Sequence, residues 1–205
     1  MIRFRFAPAL AAACFAALLA GCDTAPVAEK KKAEPPPEPL TGESALFHMY
    51  QVARAAWARD VMVEKMSSMR VNGVPDPPPG KANAWEAVFN SASLNNSKSY
   101  TDSIVEQLPD LHSGVFAGPQ QSPSGRPFLI AAVKADSDAA YKTAAAKLTP
   151  ADEKRITGKP VIILLETDRR YPDPVWRIIW GESTSTAAVS IFVDANTGEY
   201  LNVLH

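Results

Sequence analysis

The chain has 205 residues, with 21 Lys and Arg against 22 Asp and Glu, and a formal net charge of −1 at pH 7. That balance offers no basic face to a nucleic acid. Hydrophobic residues make up 46% of the chain and cysteines number two, so a core must hold the fold without a disulfide framework.

The first 21 residues read as an export signal. Arg3 and Arg5 form a positive start, and Phe6 to Leu19 form an apolar run too short to span a bilayer. Ala20 and Gly21 then place small residues ahead of Cys22. Leu19-Ala20-Gly21-Cys22 resembles the lipobox of bacterial lipoproteins. The resemblance implies cleavage between Gly21 and Cys22, a diacylglycerol thioether on Cys22, and acylation of the new amino terminus. Several acyl chains together hold a protein at a membrane durably, where one holds it only marginally. The implied location is the cell envelope, on the periplasmic side of the inner or outer membrane in a Gram-negative cell. Asp23 resembles the enterobacterial signal for retention in the inner membrane. The same resemblance implies that Cys14 leaves with the signal and that lipid on Cys22 removes its sulfur from disulfide or metal chemistry.

Residues 22–43 form the expected tether. Lys30-Lys31-Lys32, Pro35-Pro36-Pro37 and Pro39 stand among Glu29, Glu34 and Glu38. Such a segment cannot bury enough apolar surface to offset its ordering entropy. Polyproline II at about 3.1 Å per residue carries about twenty residues up to roughly 60 Å from a bilayer.

The remaining chain predicts an α+β fold made of two tandem helix-plus-antiparallel-sheet units, residues 44–134 and 135–205. In the first, Ser44 is the expected N-cap, and Leu46, Met49, Tyr50, Ala53 and Trp57 recur at helical spacing. Strands are expected over Val61–Arg70, Trp85–Asn90, Ser99–Gln107 and Phe128–Val133, the last after a Gly, Pro and Ser-rich loop at 118–127. In the second unit Asp136 or Ser137 caps a helix carrying Ala140, Tyr141, Ala144 and Leu148, which Thr149-Pro150 ends. Val161–Leu165 is a continuous apolar run of strand length. Alternating runs follow at Trp176–Trp180 and Val189–Val193, and Leu201 and Val203 close the chain after an Asn196-Thr197-Gly198 turn. The halves echo one another at offsets of about 85 to 95 residues. Pro75-Asp76-Pro77 answers Pro172-Asp173-Pro174. Ala84 to Phe89 answers Val175 to Trp180, and Ser103 to Glu106 answers Ser190 to Asp194.

Residues 135–205 resemble the PepSY domain family. The carrying residues are the helix at Asp138–Leu148, Pro174-Val175-Trp176-Arg177-Ile178-Ile179-Trp180-Gly181, and Ser190 to Leu201 with its Asp194-Ala195-Asn196-Thr197-Gly198-Glu199 turn. The resemblance implies a small α+β unit similar to the cystatin-like fold, of the kind found in peptidase propeptides and exported modules. It carries over no catalytic residue.

The chemistry expected is correspondingly sparse. His48, His112 and His205 have no neighbour at metal-ligand spacing, so no metal or cofactor is expected. Asp152-Glu153 reads as a solvated pair, and Asp194 as a cap on its turn. Trp85, Trp176 and Trp180 are the candidates for partner binding, as an aromatic platform set against ordinary core packing. The expectation is a non-enzymatic, membrane-anchored binding or regulatory module acting on an envelope protein, a peptidase among the candidates. The alternative is a structural envelope lipoprotein with no discrete ligand.

Overall fold

Helix α1, Gly42–Ala56, starts where Thr41 turns extended and its hydroxyl accepts a bond from the Ser44 N–H. Thr41 is therefore the cap, and the expected cap Ser44 is the residue whose amide it satisfies. The computed structural model describes residues 37–205. The expected signal peptide, the expected lipidation residue Cys22 with Gly21, and most of the expected tether lie outside the described residues.

After β1 (Leu40–Thr41) and α1 the first half supplies β2 (Val61–Met69), β3 (Lys81–Ala82), β4 (Ala84–Ser91), β5 (Asn96–Ser103) and β6 (Gly114–Gln121). The second half supplies α2 (Ser137–Ala145), α3 (Pro150–Ile156), β7 (Val161–Glu166), β8 (Val175–Trp180), β9 (Val189–Asp194) and β10 (Tyr200–Leu204). The fold is α+β. Eight strands form one antiparallel sheet in the order β10-β9-β8-β7-β2-β4-β5-β6, and β1 pairs with β3 as a separate ribbon.

A helix followed by a four-strand meander thus occurs twice, but the two runs share one sheet and one core. They meet edge to edge at β2 and β7. Helix α1 packs over β2, β4, β5 and β6, and α2 over β8 and β9. One continuous apolar cluster joins Leu46 and Met49 of α1, Ala140 and Ala144 of α2, and Trp85, Phe89, Trp176 and Ile191 of the sheet. Ala84 pairs with Ser103 and Val175 with Asp194, so the two central hairpins keep one register at an offset of 91 residues. The echo of Ala84–Phe89 in Val175–Trp180 falls on equivalent positions. The echo of Ser103 in Ser190 does not, because Asp194 is the residue in that place.

Three expected elements differ. The fourth strand of the first half is β6, not Phe128–Val133. Phe128 makes only an isolated bridge to Val63, and Ile130–Ala132 is a 3-10 turn. β6 is an edge strand with much of its surface in solvent, so its sequence, GVFAGPQQ, carries no clean alternation. β5 ends at Ser103, where the side chain accepts from the Val105 N–H and turns the chain away. Thr149-Pro150 does more than end α2: it opens α3. Thr149 and Asp152 form a reciprocal capping box with Pro150 inside the first turn. Asp152 is consequently buried, not solvated.

The helix starts converge across the centre of the fold. The Gly42 N–H donates to Ser137 Oγ at 2.7 Å, and Ser137 Oγ–H donates to the Gly80 carbonyl at 2.6 Å. Asp136 Oδ1 accepts from the N–H of Glu43 as well as that of Ser137. Trp85 Nε1–H donates to the Leu40 carbonyl and Trp176 Nε1–H to the Ala135 carbonyl, each two residues ahead of its helix. Gly80 has a φ of +82°, and a Cβ there would lie 2.3 Å from the Asp138 Cα. Only glycine permits that approach.

Ser137→Ala leaves the Gly42 N–H and the Gly80 carbonyl without their partner in a buried place. The expected loss is about 1–3 kcal/mol for each orphaned group, read from urea unfolding at neutral pH. Asp60 accepts from the Ser91 hydroxyl and from the N–H and hydroxyl of Ser93. These bonds, the Ser91 hydroxyl first, hold its carboxyl down at about 2 against an ordinary 3.8. A depressed folded value stabilises above the ordinary value and fades as pH falls through the lowered one. The urea midpoint of Asp60→Asn should therefore fall less steeply than that of the wild type between about pH 4 and about pH 2.

Candidate functional site

The meeting of β2 and β7 is short. The ladder consists of Lys65↔Glu166, Met66↔Leu165 and Ser67↔Leu164. Beyond each end the two strands diverge, and the two ends are treated differently.

At one end the gap is filled. A bulge between Val63 and Lys65 puts Glu64 out of step in β2. Its buried carboxylate accepts from the Ser97 hydroxyl at 2.6 Å and from the N–H and hydroxyl of Ser124 at 2.9 and 2.6 Å. This pins the segment after β6, which then lies along β2. Val63 and Phe128 exchange two backbone bonds of 2.9 and 2.8 Å. Thr167, just past β7, donates its hydroxyl to the Arg126 carbonyl.

At the other end the gap is open. It forms a cleft of about 490 Å³ between Ser68–Val71 and Pro160–Ile163, walled by Pro75 to Gly80 and touched by Tyr141 of α2. Its backbone polarity follows from the antiparallel alternation. The Gly181 N–H bonds the Pro160 carbonyl, so even-numbered residues of β7 pair with β8, and Val161 and Ile163 face β2. The Ile163 N–H finds the Ser68 hydroxyl at 2.9 Å in place of a carbonyl. Among the described residues, the ladder supplies Val161 with no partner on this side. Val161 is also 38% exposed. Arg70 and Glu182 stand 3.8 Å apart at the mouth, both largely in solvent. Lys81, Asp76 and Lys159 complete the charged rim.

A second, apolar groove of about 500 Å³ lies between the first turns of α1 and residues 130–133, lined by Leu46, Phe47, Ile130 and Val133. Phe47 beside it is 51% exposed. Glu43 at its edge has its carboxyl pushed up by burial and by the nearby charges of Asp136 and Asp138. At the closed part of the seam, burial likewise pushes the Glu166 carboxyl up, against the pull of Arg177 at 3.8 Å.

The tryptophans expected as a platform are elsewhere. Trp85, Trp176 and Trp180 are all buried in the core, and the first two spend their indole N–H groups on helix starts. Alternation does set Trp176 and Trp180 on one face, but that face lies beneath the helices. Each histidine sits beside a carboxylate. His48 Nδ1 is 2.9 Å from Asp102 Oδ2, His112 Nδ1 is 3.1 Å from Glu106 Oε1, and His205 Nδ1 is 3.2 Å from Asp152 Oδ1. Among the described residues no group of three or more His, Cys, Asp or Glu gathers as a metal ion requires. Asp194 caps its turn as expected, accepting from the N–H groups of Asn196 and Thr197 at 2.8 Å. The cleft residues Val161, Ser68 and Arg70 were not singled out by sequence. Their signals, the apolar run at Val161–Leu165 and the Pro75-Asp76-Pro77 triplet, say nothing of a gap between strands a hundred residues apart.

Compared with protein-family models, with curated proteins and with solved structures, the chain matches none of them. No helix among the described residues is long and apolar enough to cross a membrane.

The Ser68 hydroxyl closes the seam by one bond, which amide exchange can read. In Ser68→Ala the Ile163 amide should exchange roughly tenfold faster or more, while that of Leu165, inside the ladder, keeps its protection.

Proposed function

We propose that this chain is an exported, lipid-anchored module of the cell envelope that acts by binding, without catalysis. Its partner is a segment of another envelope protein, with a peptidase among the candidates. The observation that carries the reading is the open cleft between β2 and β7, which presents backbone polar groups and apolar side chains together. Concave sites of a few hundred Å³ with a few convergent polar groups are the usual form of a binding site. The lipobox resemblance at Leu19-Ala20-Gly21-Cys22 supports the anchoring, and the resemblance of residues 135–205 to the PepSY family supports a module that acts on a peptidase.

The test uses the full chain in cells. A photo-crosslinking amino acid placed at Lys159, on the cleft rim, should give one discrete adduct. The same group at Arg59, on an exposed turn outside the cleft lining, should not. Cys22→Ser should abolish labelling by an alkynyl fatty acid, move the chain out of the membrane fraction and weaken the Lys159 adduct. Equal adducts from both positions, or none from either, would sink the binding role. Unchanged fatty-acid labelling would sink the anchor.

A further inference from the structure

We infer that the open end of the seam takes one extended strand of a partner polypeptide, which pairs with Val161 where β2 has turned away. The inference rests on the reading of the chain as a binding module and specifies how it binds. Three features converge on a strand. The first is the backbone direction: β8 uses the even-numbered residues of β7, so the N–H and C=O of Val161 face the cleft. The second is internal precedent. The opposite end of the same seam is closed by an extended segment of this chain, with Val63 and Phe128 exchanging two backbone bonds. The molecule thus fills a splayed strand gap with main-chain pairing at one end and leaves the corresponding gap open at the other. The third is the makeup of the walls. An added strand turns alternate side chains to opposite sides. The walls it would meet carry apolar groups, Val161, Ile162, Tyr141 and the prolines after Val74.

This is strand addition, in which main-chain bonds supply affinity and flanking pockets supply selectivity. The rim adds a charge preference. The charged lining is three cations, Arg70, Lys81 and Lys159, against two carboxylates, Asp76 and Glu182, a balance of +1; Glu182 stands 3.8 Å from Arg70, and neither lysine forms an ion pair among the described residues. The fitting segment is therefore extended, apolar at the residue opposite Val161, and acidic beside it.

The experiment is a selection of linear peptides displayed on phage against the full chain carrying Cys22→Ser, followed by binding measurements on the enriched peptides. Enriched sequences should share an apolar residue next to Asp or Glu. Val161→Pro removes the N–H that faces the cleft and touches no bond to β8. It should weaken these peptides at least tenfold with an unchanged melting temperature. Should that variant fail to fold, N-methylation of the peptide answers alone. Methyl groups on one set of alternate amides should abolish binding, and on the other set should leave it intact. No enrichment, or a flat N-methyl scan, overturns the strand. So does displacement of the selected peptides by a synthetic peptide of residues 23–39, which would assign the slot to this chain's own N-terminal segment. Dimerisation abolished by Val161→Pro would assign it to a second copy and also overturn the proposal. A Lys159 adduct in cells beside a flat N-methyl scan leaves the binding role standing and removes only this mode of binding.

Discussion

The hydroxyl of Ser137 joins two helix starts and a loop. It accepts from Gly42 at the head of α1, belongs to the head of α2, and donates to Gly80 in the Pro-rich connection. Helix starts carry unpaired N–H groups, and placing two of them together would ordinarily set like partial charges side by side. Asp136 answers that problem by accepting from both helices with one oxygen. The two tryptophan indoles then fix the chain just upstream of each helix. The geometry admits little slack: a Cβ on Gly42 would lie 2.6 Å from the Trp176 ring.

With the helix starts held in this way, each helix must run outward over its own meander, and the sheet has to be continuous beneath both. That explains why so short a ladder between β2 and β7 is enough. The hydrophobic cluster and the helix junction hold the halves together, so the seam does not need to be paired along its whole length. A seam relieved of that duty is free to open at its ends. One end is closed by Glu64 and its serine partners, and the other remains a cleft.

Much of this architecture is legible in the residues. Trp176–Trp180 and Val189–Val193 alternate or run apolar because both faces of that part of the sheet are covered, and the equivalence of Trp85 with Trp176 marks the second strand of each half. Helix α1 declares itself by the spacing of Leu46, Met49 and Ala53, all buried. What escapes is whatever depends on distant pairing. Phe128–Val133 looks like a strand because it is apolar, yet Leu129 is 62% exposed and the run ends in a 3-10 turn. β6 looks like loop because an edge needs no hydrophobic rhythm. The Thr149-Pro150-Ala151-Asp152 signature is a helix start in plain view, hidden only by its position directly after another helix. The cleft has no local signature, since it exists between strands that meet only in the folded chain.

The β1–β3 ribbon carries a mechanical consequence. A pull on the chain ahead of Leu40 does not peel an edge strand from the sheet. It reaches the bonds of Leu40 and Thr41 with Ala82 and Lys81, the indole of Trp85 behind them, and then the start of α1. These attachments lie beside the cleft wall formed by Gly80, Lys81 and Ala82. The residues that would first bear tension on that stretch of chain are therefore the same few that form one rim of the open seam.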